Sequence, residues 1–594
     1  MDHRVVGIDL GTTNSEVAAL VNGQVKVLGP KRSQILPSCV GLSLDGALLV
    51  GEAARNQHLV YPERTVRSIK RQMGTAHSVT LGDRNFSPQE ISSLILRELV
   101  DWAQRGLGQE VRQAVITVPA YFSDAQRQAT REAGQLAGLE VLRILNEPTA
   151  ASLAYGFGEG KHTALVYDLG GGTFDVSVVT VENDVTEVLA SHGNNRLGGD
   201  DFDALLVEFL AQTFQERHGV NLRTGHPAAL ARLWWAAEEA KKRLSLEPYT
   251  VVREEALLVE GGKPLHLEVE MSRTDYENMI GPLVESTLDS VSKALSDAHK
   301  GPSDIDEVLL VGGSTRTPLV SRLLVEKLGK RPRQDVHPDL CVALGAGVLA
   351  ARLAGHHVSK VLVDVSPYSF GPSFLGEKDG EFYPFCYKPV IARNTPLPVT
   401  RTEIYFTASA YQSEVELSIY QGDDPDALKN LLVGQFRIGN LHEQEEPNEV
   451  LCRMSLDLDG ILQVTAVEKQ SGKQKSITID GALKAKTELE VAAARSQSQA
   501  LFALRSGEAA EFDEHTPLPK TEQPLAIPES EAARQARDLV ERSRCLLERM
   551  HPDDAEEAVE LNERVVKGLA ANDEGDLREA LELLRELLFY VEAR

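Results

Sequence analysis

Apolar and polar positions along the chain fall into three successive patterns. Over residues 1–358, short apolar runs alternate with stretches of helical periodicity. Val115-Ile116-Thr117-Val118 reads as a buried strand closed by Pro119, Asp124 to Gly138 as a helix, and Val308-Leu309-Leu310-Val311 as another buried strand, broken by Gly312-Gly313. Strands alternating with helices predict an α/β domain. Residues 359–367 form a short apolar connector. Residues 368–481 then read as strands, with period-two alternation in Val415-Glu416-Leu417-Ser418-Ile419-Tyr420 and turn signals at Gln421-Gly422-Asp423-Asp424 and Asp457-Leu458-Asp459-Gly460. That pattern predicts an all-β module. From 482 to 594 the periodicity is helical, first over Leu483 to Leu504. Pro517, Pro519, Pro524 and Pro528 interrupt it across 515–528, because proline removes a helix donor and clashes with the preceding turn. Segments at 530–550, 553–570 and 576–592 predict a small bundle. The last starts at an Asp576 N-cap and carries the stripe Leu577, Leu581, Leu584, Leu588 and Val591.

One phrase occurs twice in the α/β part. Val5-Val6-Gly7-Ile8 runs into Asp9-Leu10-Gly11-Thr12-Thr13-Asn14-Ser15, and Ala164-Leu165-Val166-Tyr167 runs into Asp168-Leu169-Gly170-Gly171-Gly172-Thr173-Phe174-Asp175. Each copy continues into a second apolar run, so strand, glycine turn and strand are used twice. Backbone N–H groups in such a turn can face phosphate oxygens, because no Cβ intrudes. Thr12, Thr13 and Thr173 add hydroxyl donors. Asp9 and Asp168 stand at strand ends, where they can hold Mg²⁺ directly or through its waters. Leu197-Gly198-Gly199-Asp200-Asp201 and Val311-Gly312-Gly313-Ser314-Thr315-Arg316 are further strand-end turns, and the Arg316 guanidinium can lie along a base. The repeat predicts two lobes gripping one nucleoside triphosphate.

Composition narrows the class. At 594 residues the chain needs several cores, and 42% hydrophobic with 25% charged residues is ordinary for a globular protein. A net charge of −26 argues against a general nucleic-acid binder. No run reaches the roughly 18 apolar residues of a membrane span, and the N-terminus enters a strand pattern without a signal-peptide signature, which predicts a cytoplasmic protein without membrane partners. The five cysteines have no metal-ligand spacing.

With these phrases in place, the chain resembles the heat-shock-protein-70 family of DnaK-type chaperones. The resemblance is carried by Ile8 to Ser15, Val115 to Phe122, Asn146-Glu147-Pro148-Thr149-Ala150, Tyr167 to Asp175 and Val311 to Arg316. Met73 to Ser93, Ser366-Pro367-Tyr368-Ser369 and Arg393 to Val399 resemble its HscC-like branch. The resemblance implies an actin-like two-lobed ATPase domain (1–358), a linker (359–367), a β-sandwich that binds peptide (368–481) and a helical lid (482–594). It implies catalytic roles for Lys70, Glu147, Asp168, Thr173, Asp9 and Asp175, with Mg²⁺ held mainly through water by Asp9, Glu147 and Asp168. It places ATP or ADP on Gly11, Thr12, Thr13, Asn14, Gly170, Gly171, Gly172, Gly198, Gly199, Gly312, Gly313 and Ser314, and the nucleoside on Glu238, Lys241, Lys242, Ser245, Arg316 and Asp339. Around Asp339 the phrase Asp339-Leu340-Cys341-Val342-Ala343 departs from the family's Asp-Glu-Ala-Val-Ala. Tyr383, Tyr405, Ala408, Val415 and Leu417 are the implied peptide contacts. Pro119, Arg127, Arg143, Val361, Leu362, Val363 and Asp364 are the implied coupling residues, with Arg143 and Asp364 on the surface that a J-domain partner touches. Unfolded peptide segments, a J-domain protein and a nucleotide-exchange factor are the implied partners. An actin-like kinase or filament ATPase shares the paired hairpins, and a non-cycling relative acting as holdase or exchange factor shares the whole pattern.

Overall fold

Two apolar strands that end in aspartate build the same unit twice. Arg4–Asp9 pairs antiparallel with Asn14–Val21, which pairs with Gln24–Leu28; on its other side it runs parallel to Val111–Val118, with Glu140–Asn146 beyond. Lys161–Leu169 likewise pairs antiparallel with Phe174–Glu182, then Val185–Asn194, and runs parallel to Glu307–Val311 on its other side. Asp9 and Asp168 therefore end equivalent strands in two lobes. The computed structural model describes residues 4–505 apart from 32, 156–159, 183–184, 334–335, 357–360, 471, 473 and 479–487, with separated positions between 539 and 588.

Each lobe has its own core. One gathers Ile8, Val17, Leu94, Ile116 and Ala133, and the other gathers Tyr167, Phe174, Phe202, Leu244 and Tyr276. Between the lobes, the helix Cys341–Leu353 packs on the strand Arg4–Asp9 and on the helix Glu147–Ala154. Glycine is required at this crossing. A Cβ on Gly345 would come within 1.7 Å of the Ala150 carbonyl oxygen, and one on Gly7 within 2.2 Å of the Ala346 backbone. Those contacts bring Glu147 to the floor of the cleft between the lobes.

The period-two stretch forms the strand Glu414–Gln421, with Leu417 and Ile419 buried and Glu416 exposed. It belongs to a four-stranded sheet with Glu381–Tyr387, Phe370–Lys378 and Leu431–Gly439. A second four-stranded sheet holds Val399–Phe406, Glu449–Leu456, Leu462–Glu468 and Gln474–Thr478. Apolar residues from both, including Leu417, Ile419, Met454 and Val464, share one core.

The connector does not hang free. Val361–Val363 pairs in parallel with Val185–Glu187 and extends the second lobe's sheet by one edge strand. Asp364 follows it into the interior, where it accepts from Asn146 Nδ2 at 2.9 Å and Thr149 Oγ1 at 3.3 Å. Burial raises its pKa, opposed by the Val365 N–H and by Arg127 and Arg143. The turn at Asp459 then fixes the sandwich to the first lobe. Its carboxylate meets Arg131, lies 3.6 Å from Arg143 Nε and accepts the Ile144 N–H at 2.8 Å. Arg127 reaches the Asp459 carbonyl at 3.4 Å, and Asp124 accepts the Leu462 N–H at 2.8 Å.

The expected helix over 483–504 is described as Glu488–Ala503. It packs on Pro88–Leu107 and Asp124–Ala137 of the first lobe. The reason is chemical: Leu501 joins that lobe's core, Ser498 meets Ser93 at 3.0 Å, and Arg505 pairs with Glu98 at 2.8 Å and Asp101 at 2.9 Å. Cα packing divides the chain into Met1–His515 and Thr516–Arg594. The proline-rich stretch 515–528 lies outside the described residues, as do Asp576 and most of the bundle expected at 530–592.

Asp459→Ala leaves Arg131 and Arg143 without this carboxylate and the Ile144 N–H without its acceptor. The loss of charged hydrogen bonds of this kind costs about 1.5–3 kcal/mol. The variant is expected to show a larger radius of gyration by small-angle scattering and faster amide exchange over 361–363; unchanged values in both would refute the role of this turn.

Candidate functional site

The cleft between the lobes is a cavity of about 550 Å³. Its walls carry Asp9, Gly11, Thr12, Thr13, Asn14, Lys70, Glu147, Asp168, Gly170, Gly171, Thr173, Gly199, Glu238, Lys241, Lys242, Ser245, Gly312, Gly313, Ser314, Arg316 and Asp339. Two turns from opposite lobes thus face one space, as the repeated phrase predicts. The turns are interlocked with their neighbours. Gly199 N–H donates to Gly170 O at 2.9 Å, Asp200 N–H to Gly171 O at 2.7 Å and Ser314 Oγ to Gly170 O at 2.9 Å. Gly312, at φ 81°, lets its turn approach Leu169, where a Cβ would stand 2.4 Å from the carbonyl oxygen.

Three residues expected at the phosphates or the reacting water lie behind these walls. Gly172 is packed beneath Thr12 and Arg71, and Gly198 against the Gly171 backbone, where Cβ atoms would come within 2.7 and 2.5 Å. Asp175 is buried at the start of Phe174–Glu182, with Oδ1 accepting the Tyr121 N–H at 2.9 Å and Oδ2 without a hydrogen-bond partner. Their sequence spacing matches the turns, but the spacing does not say which side of a turn faces the cleft.

At the cavity floor, charge of one sign is concentrated. Lys70 comes from the short turn Ile69–Gln72 and is 4% exposed; its Nζ pairs with Glu147. Thr117 Oγ1 donates to Asp9 at 2.8 Å. Asp9, Glu147, Asp168 and Asp175 share the one ammonium. Burial raises Asp9 to about 7, with repulsion from Glu147 adding to it and Lys70 and Thr117 opposing. Burial and repulsion from Glu147 raise Asp175 to about 7, against the Tyr121 N–H and Lys70. Asp168 is held well above the usual carboxylate range by burial and by Glu147, Asp175 and Asp9. Among the described residues, no three or more His, Cys, Asp or Glu side chains converge as direct metal ligands. Asp9, Glu147 and Asp168 are the residues that would hold a divalent cation, mainly through its waters, and such an ion would supply positive charge at this floor.

The opposite end suits a nucleoside. Lys241 bonds Asp203 at 2.7 Å and Gly199 O at 3.2 Å, while Lys242 pairs with Glu238 at 2.8 Å. Arg316 is held by Asp339 at 2.6 Å, with His337 Nε2 at 3.1 Å. Arg55 reaches across the mouth to Glu238 at 3.4 Å and lies 4.0 Å over the Trp235 ring. Sequence reasoning missed Glu16, Arg67 and Asp203 on these walls, and named Asp200 only as part of a turn. Glu16 gave no readable signal: it stands just before the apolar run Val17–Leu20, next to Asn14 and Ser15, and the fold buries it to 2% exposure.

In the sandwich, Tyr405 and Val415 are half-buried, and Ala408 is exposed. Leu417 is 6% exposed within the core, which leaves little of it to face a groove. Tyr383 donates to Asp426 at 2.9 Å and packs on Phe385. Tyr405 meets Phe374 at 6.2 Å, a partner that the sequence did not indicate. Of the coupling residues, Arg127 bonds Ala120 O at 2.8 Å and Asn146 Oδ1 at 2.7 Å, and the Pro119 carbonyl accepts the Phe122 N–H at 3.1 Å.

Comparison with known proteins agrees with this geometry. The family described as "Hsp70 protein" matches residues 5–81 and 75–571. The chain belongs to the Hsp70 family. It is 46% identical to the chaperone protein DnaK of Thermotoga petrophila over 487 residues, 80% of each chain. It is 46% identical to that of Thermosipho africanus and 44% to that of Thermosipho melanesiensis, each over 486 residues and 80% of each chain. This Hsp70 is an ATP-dependent molecular chaperone and an ATP hydrolase. Membership implies an actin-like ATPase domain with a β-sandwich and a lid. No described helix is long and apolar enough to cross a membrane.

The raised carboxylates predict how stability of the ligand-free Hsp70 depends on pH. Asp9 is at about 7 in the fold and near 3.8 when unfolded. The folded state therefore binds more protons between those values, and its contribution is lost as pH rises through about 7. Asp9→Asn is expected to melt at higher temperature than the native chain above pH 7, with the difference vanishing toward pH 4. A constant difference across that range would contradict the shift.

Proposed function

We propose that the cleft binds ATP with Mg²⁺ and directs water in line at the γ-phosphate, and that this controls peptide binding by the sandwich. The observation that carries the reading is the buried Lys70–Glu147 pair among three further carboxylates, beside two glycine turns that face one cavity. Lys70 neutralises charge developing on the γ-phosphate, Glu147 orients the water, and Thr173 donates to it. Asp9, Glu147 and Asp168 hold Mg²⁺ mainly through its waters, and the ion supplies charge neutralisation to the phosphates when bound. Asp175 completes the polar shell once it is freed. Glu238, Lys241, Lys242, Ser245, Arg316 and Asp339 surround the nucleoside. Little covalent work falls to the protein, and positioning and electrostatics supply the rate.

The working division is 1–358 for ATP hydrolysis, 359–367 as linker, 368–481 for peptide and 482–594 as lid. An extended peptide would lie near Tyr405, Ala408 and Val415, contributing backbone hydrogen bonds and one apolar side chain. Burying one leucine there is worth about 1.5–3 kcal/mol, which suits weak and sequence-tolerant capture. Leu362 and Val363, paired at the sheet edge, are the coupling strand. Arg143 serves a J-domain partner, whereas Asp364, expected on the same surface, is buried with the connector and presents no surface to one; an exchange factor resets the nucleotide, and the protein works in the cytoplasm. The HscC-like branch is suggested by the phrases in Met73 to Ser93, Ser366 to Ser369 and Arg393 to Val399.

The deciding experiment measures ATP turnover with and without an unfolded peptide and a J-domain protein. Stimulation by both is expected, and its absence would refute the coupled cycle. Lys70→Ala should keep nucleotide binding and lose about a hundredfold or more in single-turnover hydrolysis; a near-native rate would overturn its role. Leu362→Asp should keep the basal rate and lose peptide stimulation; retained stimulation would remove the linker from the coupling.

A further inference from the structure

Tyr121 stands between the hydrolytic carboxylates and the β-sandwich and is bonded to both. Its backbone N–H donates to Asp175 Oδ1 at 2.9 Å. Its carbonyl accepts the hydroxyl of Tyr368 and the side-chain amide of Asn195. Its ring lies 4.6 Å from the Tyr368 ring and 5.1 Å from the His192 ring. Tyr368 follows the connector directly, between the buried Asp364 and the strand Phe370–Lys378.

The N–H and the carbonyl of Tyr121 belong to two peptide planes joined at one Cα, so a hold on the carbonyl and the ring restrains the segment that presents the N–H. In the docked chain that N–H keeps Asp175 behind the cavity wall, and Asp175 Oδ2 is left buried without a hydrogen-bond partner. A buried carboxylate with one free oxygen and one restraining donor is poised to move when the donor moves.

We propose that Tyr368 is a positioning residue for hydrolysis. While the sandwich is docked, its hydroxyl and ring hold the Tyr121 segment so that Asp175 is retained. Undocking withdraws Tyr368 and frees Asp175 to join Glu147 and Asp168 at the reacting water. The inference rests on assigning Asp175 to the hydrolytic site, and it adds a route by which the sandwich acts on that residue.

Tyr368→Phe in the full chain keeps the ring and removes one donor. Single-turnover hydrolysis without peptide is expected to rise about two- to tenfold, the scale of one hydrogen bond. The affinity for ATP with Mg²⁺ should stay unchanged, and the stimulation by peptide should shrink by the same factor. A merely structural role would lower melting temperature and nucleotide affinity without accelerating turnover. Tyr368→Leu, which also loses the ring, should accelerate at least as much. In an Asp175→Asn background, Tyr368→Phe should add nothing. Slow hydrolysis by Asp175→Asn together with an unchanged rate in Tyr368→Phe would overturn the inference alone, as would equal acceleration with and without Asp175. Native-rate hydrolysis by Asp175→Asn would overturn the site assignment beneath it.

Discussion

Four carboxylates held out of water around one ammonium set the terms for the rest of this Hsp70. Asp9, Glu147, Asp168 and Asp175 repel one another, and Lys70 offsets only part of that repulsion. That repulsion is costly, so the lobes need rigid support to keep the groups in place. Paired sheets supply it from two sides, and the close crossing at Gly7, Gly345 and Ala150 supplies it from below. The same repulsion makes a polyphosphate with its cation a favourable occupant, because the cation's positive charge is met by groups already in position.

Much of this was legible in the chain. The duplicated Asp-Leu-Gly phrase predicted two equivalent strand ends, because strand, turn and strand are local features that glycine and β-branched residues specify directly. The alternation over Val415–Tyr420 predicted the sandwich face for the same reason. What stayed hidden depends on which side of a turn or strand faces the cleft. Gly172, Gly198 and Asp175 share the motif of their neighbours yet do not line the cavity, and Leu417 belongs to the sandwich core. Asp203 was hidden for another reason: it meets Lys241 only through the packing of two consecutive helices, Gly199–His218 and Pro227–Leu246, which local pattern does not specify.

The connector shows how a short segment can carry information between bodies. Three residues of strand pairing place Asp364 in a buried set of donors from Asn146, Thr149 and Val365. Asn146 also accepts from Arg127, and it precedes Glu147 directly. The connector and the cleft carboxylate Glu147 are therefore linked through adjacent residues, without a long relay.

The attachments of the outer parts differ in kind from the bonds within the lobes. Lobe interiors are apolar, whereas the sandwich and the helix Glu488–Ala503 are fastened largely by charge: Arg131 and Arg143 on Asp459, Arg393 on Asp297 at 2.9 Å, and Arg505 on Glu98 and Asp101. These pairs are largely buried and in contact, well inside the screening length of about 8 Å at physiological salt, so mobile ions weaken them little while they are made. Ions act once the pairs part, by screening the longer-range attraction that draws the charges together again. The ionic surroundings thus bear on how readily the outer parts return rather than on how firmly they stay.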